Sequence, residues 1–352
     1  VFAGARRSGG ALVNLLASFD FSGLAAAMKR LPGLDALRGI AALMVVFEHT
    51  EHLSRSVGLF SKSYLAVDLF FMLSGFVMAR SYESKMANGM SGQAFTVARL
   101  RRLWPTMAVG SVLGLIAFSD DYKPLLLFAL GLVFVPRLVA DHPIFPQNPP
   151  AWSILFELAA NCIHTLVLRR IPVVGLGVVA VTSAATLIAF ASSANVGWEG
   201  GQFWLGIPRV LFSYCVGIIL WRALGDASRF TPLLGLVTLP AYVLLIKDAG
   251  PWADFFFVFA LCPLIVISGL GHSRARILQF FGAISFPLYA VHYPILVATL
   301  HSGVPFPLAI CAAVLGAWAV WRIPLLVIER SPSQTTSGSL EHQQKCPSEP
   351  AP

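Results

Sequence analysis

Residues 34–55 read LDALRGIAALMVVFEHTEHLSR. The middle, from Gly39 to Phe47, is apolar enough to enter a bilayer, yet Arg38 stands at one end and Glu48, His49, Glu51 and His52 at the other. An ionisable group inside a spanning helix costs at least about 2.5–3.5 kcal/mol near the bilayer centre. A segment that only had to span would leave such groups out. On a helix, Arg38 and His49 are separated by about three turns plus 20°, so they share a face and lie about 16 Å apart along the axis. Arg38 reads either as a snorkelling interfacial cation or as one end of a functional pair. For His49, with Glu48 beside it and His52 one turn on, the functional reading is the stronger.

The rest of the chain has the same character. Of its 352 residues 57% are hydrophobic and 12% charged, about half the charge of a soluble domain. Apolar segments fall near 38–53, 64–80, 104–118, 124–136, 152–168, 171–191, 205–222, 232–246, 252–270, 282–300 and 305–327. The segment PLLLFALGLVFVP, Pro124 to Pro136, is proline-bounded and shorter than the about 17 residues a spanning helix needs. If it crossed fully, Arg169, Arg170, Arg222 and Arg229 would change sides; if it turns back, they join Lys29, Arg30, Arg99, Arg101, Arg102, Arg274, Arg276 and Arg330. The positive-inside rule favours the second arrangement. The expected fold is therefore an all-α polytopic membrane protein of about ten transmembrane helices plus a short outer re-entrant segment. Both termini are expected in the cytoplasm.

Three regions are expected: an N-terminal extension over 1–30, within which Met28 of MKRLPGLDALRGIAAL is a candidate start; a transmembrane domain over 31–332; and a polar, Pro/Ser-rich, disordered cytoplasmic tail over 333–352. No internal repeat is visible. The five cysteines form no CxxC pair, so neither a disulfide framework nor a metal site is expected. No nucleic-acid-binding motif, P-loop, GxSxG, HExxH or Rossmann fingerprint occurs.

Two groups of residues carry chemistry. His49, Asp68, Glu157 and His292 fall at similar depth on separate spans, which suggests a shared polar cavity in which a neutral histidine acts as base, oriented by a carboxylate. A purely structural hydrogen-bond network is the alternative, for Asp68 and His292 above all. At the other end, Arg99 and Arg102 of ARLRRLWP, joined by Arg38, read as a topogenic basic loop that also suits a phosphate-bearing donor. Ser74 of LSGF and Ser153 of WSILFE read as packing or hydrogen-bonding residues, and Gly75 as a point of close helix contact.

Six motifs, in order, resemble the membrane acyltransferase 3 family. LDALRGIAALMVVFEH is similar to its R-x10-H first span, VDLFFMLSGFVMAR to its second, ARLRRLWP to R-x-x-R-x-x-P, WSILFE to W-S-x-x-x-E, SFPLYAVHYPIL to S-x-x-L-Y-x-x-H-x-P, and VIERSP to the end of the domain. The resemblance covers about Leu31 to Pro332. It implies a bacterial inner membrane and transfer of an acyl group, most often acetyl, from cytoplasmic acyl-CoA to a hydroxyl of a carbohydrate or lipid-linked glycan such as O-antigen or exopolysaccharide. It carries over His49 as catalytic base with Arg38 as its motif partner, Arg99 and Arg102 as donor-binding groups, and Trp152, Ser153 and Glu157 as residues near the site. Glu48, Asp68 and His292 are expected to support it. The sequence departs from the family's E-E-Q-F-Y continuation with ELAAN, which puts the local pocket chemistry in question. No fused soluble hydrolase-like domain follows Pro332, so a stand-alone transferase, or one relying on a separate partner, is expected. No nucleophilic Ser or Cys is paired with a base, which favours direct transfer. Two alternatives stay open: succinyl transfer to a periplasmic glucan, and a proton-coupled secondary transporter. Acceptor contacts are expected from Trp198, Phe203 and Trp204, which also fit as interfacial aromatics.

Overall fold

A computed structural model describes residues 31–330 except 57, 121, 227–230 and 272–275, with side chains as far as 322. Met28, Arg229, Arg274 and the tail 333–352 lie outside the described residues. The chain divides into a large unit, Asp20–Arg322, and a small one made of Val1–Phe19 with Ile323–Pro352. Every side-chain contact described belongs to the large unit.

Each of the eleven apolar segments forms a helix: α1 Pro32–Ser54, α2 Ala66–Ala87, α3 Gly92–Ala117, α4 Pro124–Leu132, α5 Ala151–Leu166, α6 Val173–Phe190, α7 Gly206–Leu224, α8 Pro232–Leu245, α9 Pro251–Ser268, α10 Arg276–His301 and α11 Phe306–Arg330. No strand occurs among the described residues beyond one isolated bridge, Pro143 to Glu199. Five helical segments are long and apolar enough to cross a membrane: Ser63–Ala87, Val173–Phe190, Gly200–Leu224, Pro251–Ser268 and Arg276–His301. The shortfall from ten has two causes. The 23-residue α1 and the 26-residue α3 carry the charged groups discussed above, while α5 and α8 have only 16 and 14 residues and α11 counts as a shorter apolar helix over Phe306–Arg322.

Local chemistry sets the boundaries. Pro32 opens α1, where a missing N–H costs nothing, and Arg55 closes it in the left-handed region at φ 53°. Glu51 then accepts the backbone N–H groups of Leu59 and Phe60 at 3.2 and 2.8 Å, pinning the turn that follows. Ser91 caps α3 by accepting from Ala94 N–H. In α9, a π-helical turn at Phe257–Leu261 precedes Pro263. The extra residue relieves the clash between the proline ring and the carbonyl one turn back.

The most extensive pairings are α1 along α10 and α2 along α7. In a bilayer the association of helices depends on close packing and polar contacts rather than on burial from water. Gly75 supplies the close approach expected of it: a Cβ there would lie 2.1 Å from Tyr214 O on α7, and one on Gly217 equally near Met72 O on α2.

Segment 124–136 starts at the end of the bundle where α3 finishes. Pro124 O, at its start, accepts from Gln147 Nε2, while Gln147 O lies against Gly114, near the end of α3. Between these points α4 descends beside α3 until Leu132 O accepts from Trp104 Nε1 at 3.0 Å. The nine residues of α4 reach about 13 Å, less than the about 30 Å core of a bilayer, and α3 and α5 run in opposite senses.

Candidate active site

His49 lies near the C-terminal end of α1 and meets α10 there. Its Nδ1 is 3.0 Å from Val45 O, one turn back, and 3.1 Å from Nε2 of the fully buried His292. Nδ1 of His292 is 2.9 Å from Leu288 O and 3.0 Å from Tyr289 O. Tyr293 meets the His49 ring edge-on at 5.3 Å between centroids and itself stacks with Phe118. Two prolines, Pro287 and Pro294, bracket this turn of α10. Pro294 has no N–H for Ala290 O, and that carbonyl is taken by Asn148 Nδ2 at 2.9 Å.

One layer further in, Tyr289 OH and Ser153 Oγ are 2.7 Å apart. Ser153 also contacts Pro150 O at 3.2 Å. It is therefore a hydrogen-bonding residue, as its sequence context suggests. Glu157 follows one turn along α5, about 6 Å nearer the Arg38 end. Its Oε1 accepts from Ser74 Oγ at 2.8 Å and from Arg99 Nη2 at 2.5 Å. Arg99 is buried, whereas Arg102, within electrostatic reach of both Arg38 and Arg99, is exposed. Arg38 is half-buried and makes a 3.4 Å contact with Asp35. Three guanidinium groups and two half-buried carboxylates, Glu157 and Asp35, thus meet at one end, leaving a positive excess. Such an excess favours an anionic ligand.

Asp68 belongs to a third grouping. Both its oxygens accept from the fully buried Arg209, at 2.8 to 3.2 Å, and Oδ1 also meets Ser213 Oγ at 3.4 Å. Arg209 spends its remaining donors on Val196 O and Tyr64 O and lies 5.2 Å from the ring of Trp152. Sequence reasoning missed Arg209. The signal was available, because a buried carboxylate requires a partner and Arg209 lies within the apolar run 205–222, whose other cation, Arg222, is at its end. Glu48 is half-buried, within electrostatic reach of Arg209, and makes no hydrogen bond to a described residue.

The single cavity expected for His49, Asp68, Glu157 and His292 therefore resolves into three groupings. His49 and His292 touch, Asp68 is sealed by Arg209, and Glu157 sits a turn nearer the arginines. Among the loop aromatics, Trp204 is exposed and leads inward through Phe203 and Phe156 to Trp152 by successive ring contacts of 5.1 to 5.8 Å. No cluster of residues suited to a metal ion occurs among the described residues.

Residues 31–322 match the acyltransferase domain family. The chain belongs to that family, acyltransferase 3, and is a membrane acyltransferase. It is 38% identical over 153 residues to Protein 2 in the picA locus of Rhizobium radiobacter, covering 37% of this chain and 78% of that protein. It is 26% identical over 325 residues to acyltransferase MdmB of Streptomyces mycarofaciens, covering 76% of this chain and 79% of that one. A further relative, BcsY of Komagataeibacter xylinus, named as a membrane-bound transacylase, is 23% identical over 287 residues, covering 74% and 72%. No solved structure matches.

Proposed function

We propose that the protein transfers an acyl group, acetyl by preference, from cytoplasmic acyl-CoA to a hydroxyl of a carbohydrate acceptor such as O-antigen or exopolysaccharide. The observation that carries this reading is the layout of α1. Arg38 opens it among Arg99 and Arg102, and His49 closes it against His292, about 16 Å away on the same face.

In this reading the arginine end faces the cytoplasm of a bacterial inner membrane, with both termini on that side, and α4 is the re-entrant piece on the other. Arg38 and Arg102 meet the donor's phosphates by charge-assisted hydrogen bonds. Arg99 adds charge from behind while it holds Glu157. The thioester reaches His49 along the bundle, and the acceptor approaches past Trp204 and Phe203. His49 takes the hydroxyl proton as the acceptor oxygen bonds to the acyl carbon. The carbon–sulfur bond breaks, and the thiolate leaves with the proton that His49 returns. The products are the ester and free CoA, with no net proton change and no step that needs a metal.

Purified protein in vesicles, supplied with acetyl-CoA and a glycan fraction, tests this. Release of CoA thiol that depends on the glycan and is lost in His49→Gln is expected. Acceptor flux across the vesicle without CoA consumption points to a carrier and overturns the reading.

A further inference from the structure

The contacts around His49 fix more than its place. Carbonyl oxygens only accept hydrogen bonds, and two of them, Leu288 O and Tyr289 O, face Nδ1 of His292 at 2.9 and 3.0 Å. The hydrogen of neutral His292 is therefore on Nδ1, and its Nε2 presents a lone pair. That lone pair faces Nδ1 of His49 at 3.1 Å, and Val45 O faces the same nitrogen at 3.0 Å. An atom between two acceptors must carry the hydrogen. Nε2 of His49, which bonds to no described residue, is left with the free lone pair.

The alternatives fail on the same contacts. A doubly protonated His292 would aim Nε2–H at His49 Nδ1, which would then turn a lone pair on Val45 O. Flipping the His49 ring would place carbon against Val45 O and forfeit both bonds. The edge-on Tyr293 ring packs against the imidazole in the orientation observed.

We infer that His292 is a positioning residue: by accepting from His49 Nδ1–H it holds His49 in the tautomer whose Nε2 is the proton-accepting atom. The inference rests on His49 being the base. His292 acts through His49 rather than on the substrate. Its own orientation comes from the Leu288 and Tyr289 carbonyls, in the turn bracketed by Pro287 and Pro294. Where a buried partner selects a histidine tautomer, the wrong tautomer cripples catalysis even with the geometry intact; loss of the group that orients a metal-bound histidine typically costs 10–100-fold, the scale taken for this pair. Because Val45 O stays in place, the lower end of that range applies here.

The test uses the full chain, labelled with 15N-histidine in nanodiscs, with the His49 signal assigned by its loss in His49→Gln. The wild type is expected to show hydrogen on Nδ1 and a bare Nε2. His292→Phe, which removes the acceptor at similar size, should raise the population of the other tautomer and lower kcat about tenfold, with the acyl-CoA KM within twofold. His292→Gln, whose side-chain carbonyl can take the place of Nε2, should restore the tautomer and most of kcat. A wild-type His49 with hydrogen on Nε2 overturns the inference, and that measurement stands even if the Phe variant fails to fold. So does a folded His292→Phe with unchanged tautomer and kcat. If His49→Gln itself retains transfer, the base reading fails, a result distinct from either.

Discussion

Two buried arginines, Arg209 and Arg99, are each committed to a carboxylate. Arg209 spends its donors on Asp68, Val196 O and Tyr64 O, so it can do little beyond holding α2, α7 and the loop before α7 together. Removing one member of a buried ion pair strands the other, at a cost of about 3–5 kcal/mol. Arg209→Met should accordingly lower the melting temperature sharply in detergent, and adding Asp68→Asn should recover part of the loss. Arg99 is also committed, to Glu157, but its neighbour Arg102 is exposed and makes no bond to a described residue. Arg102→Ala is expected to raise the acyl-CoA KM about tenfold, as loss of one charge-assisted hydrogen bond worth ~1.5 kcal/mol would, with kcat close to wild type. Arg99→Ala should depress both folding yield and kcat, because Glu157 loses its counter-ion. Steady-state kinetics with thiol detection separates the two variants.

At the scale of elements, close crossings matter more than helix propensity. At Gly75 even a methyl group collides with Tyr214 O, so Gly75→Ala should push α2 from α7 and destabilise by about 1–3 kcal/mol. On α6, a Cβ at Gly177 meets nothing within 4 Å, and Gly177→Ala should be neutral or stabilising by up to ~1 kcal/mol. Thermal melts of the two variants side by side give the comparison. Helix existence was legible from hydropathy in all eleven segments, and Gly75 was legible as a packing glycine. For α4 the sequence showed only that its proline-bounded segment, Pro124 to Pro136, is short of a full span. The contacts that set it beside α3, Pro124 O with Gln147 and Leu132 O with Trp104, join residues up to 28 positions apart and leave no local periodicity.

Over the whole molecule, the helix senses make a prediction about sidedness. Loops at the arginine end include 88–91 and 167–172; those at the His49 end include 143–150 and 191–200. In a background with the natural cysteines replaced, cysteines placed in the first pair of loops should react with an impermeant thiol reagent only after cells are opened. Cysteines in the second pair should react in intact cells wherever the outer membrane is permeable. The opposite pattern would reverse the path of donor and acceptor.

The sequence alone determined the class of structure, because a chain with 12% charged residues cannot dissolve its apolar segments in water and must satisfy their backbones as helices in lipid. It also determined that Arg38 and His49 share one face, since that follows from the helical repeat within a single element. Six ordered motifs carried the family, which the match over residues 31–322 supports. Tertiary structure decided the partners. His292 meets His49 across 243 positions and Arg209 meets Asp68 across 141, distances over which side-chain pairing leaves no trace in spacing. Depth counted along separate spans suggested that four ionisable groups converge. Helix packing sorted them into three groupings, because each buried charge must take the nearest group able to neutralise it.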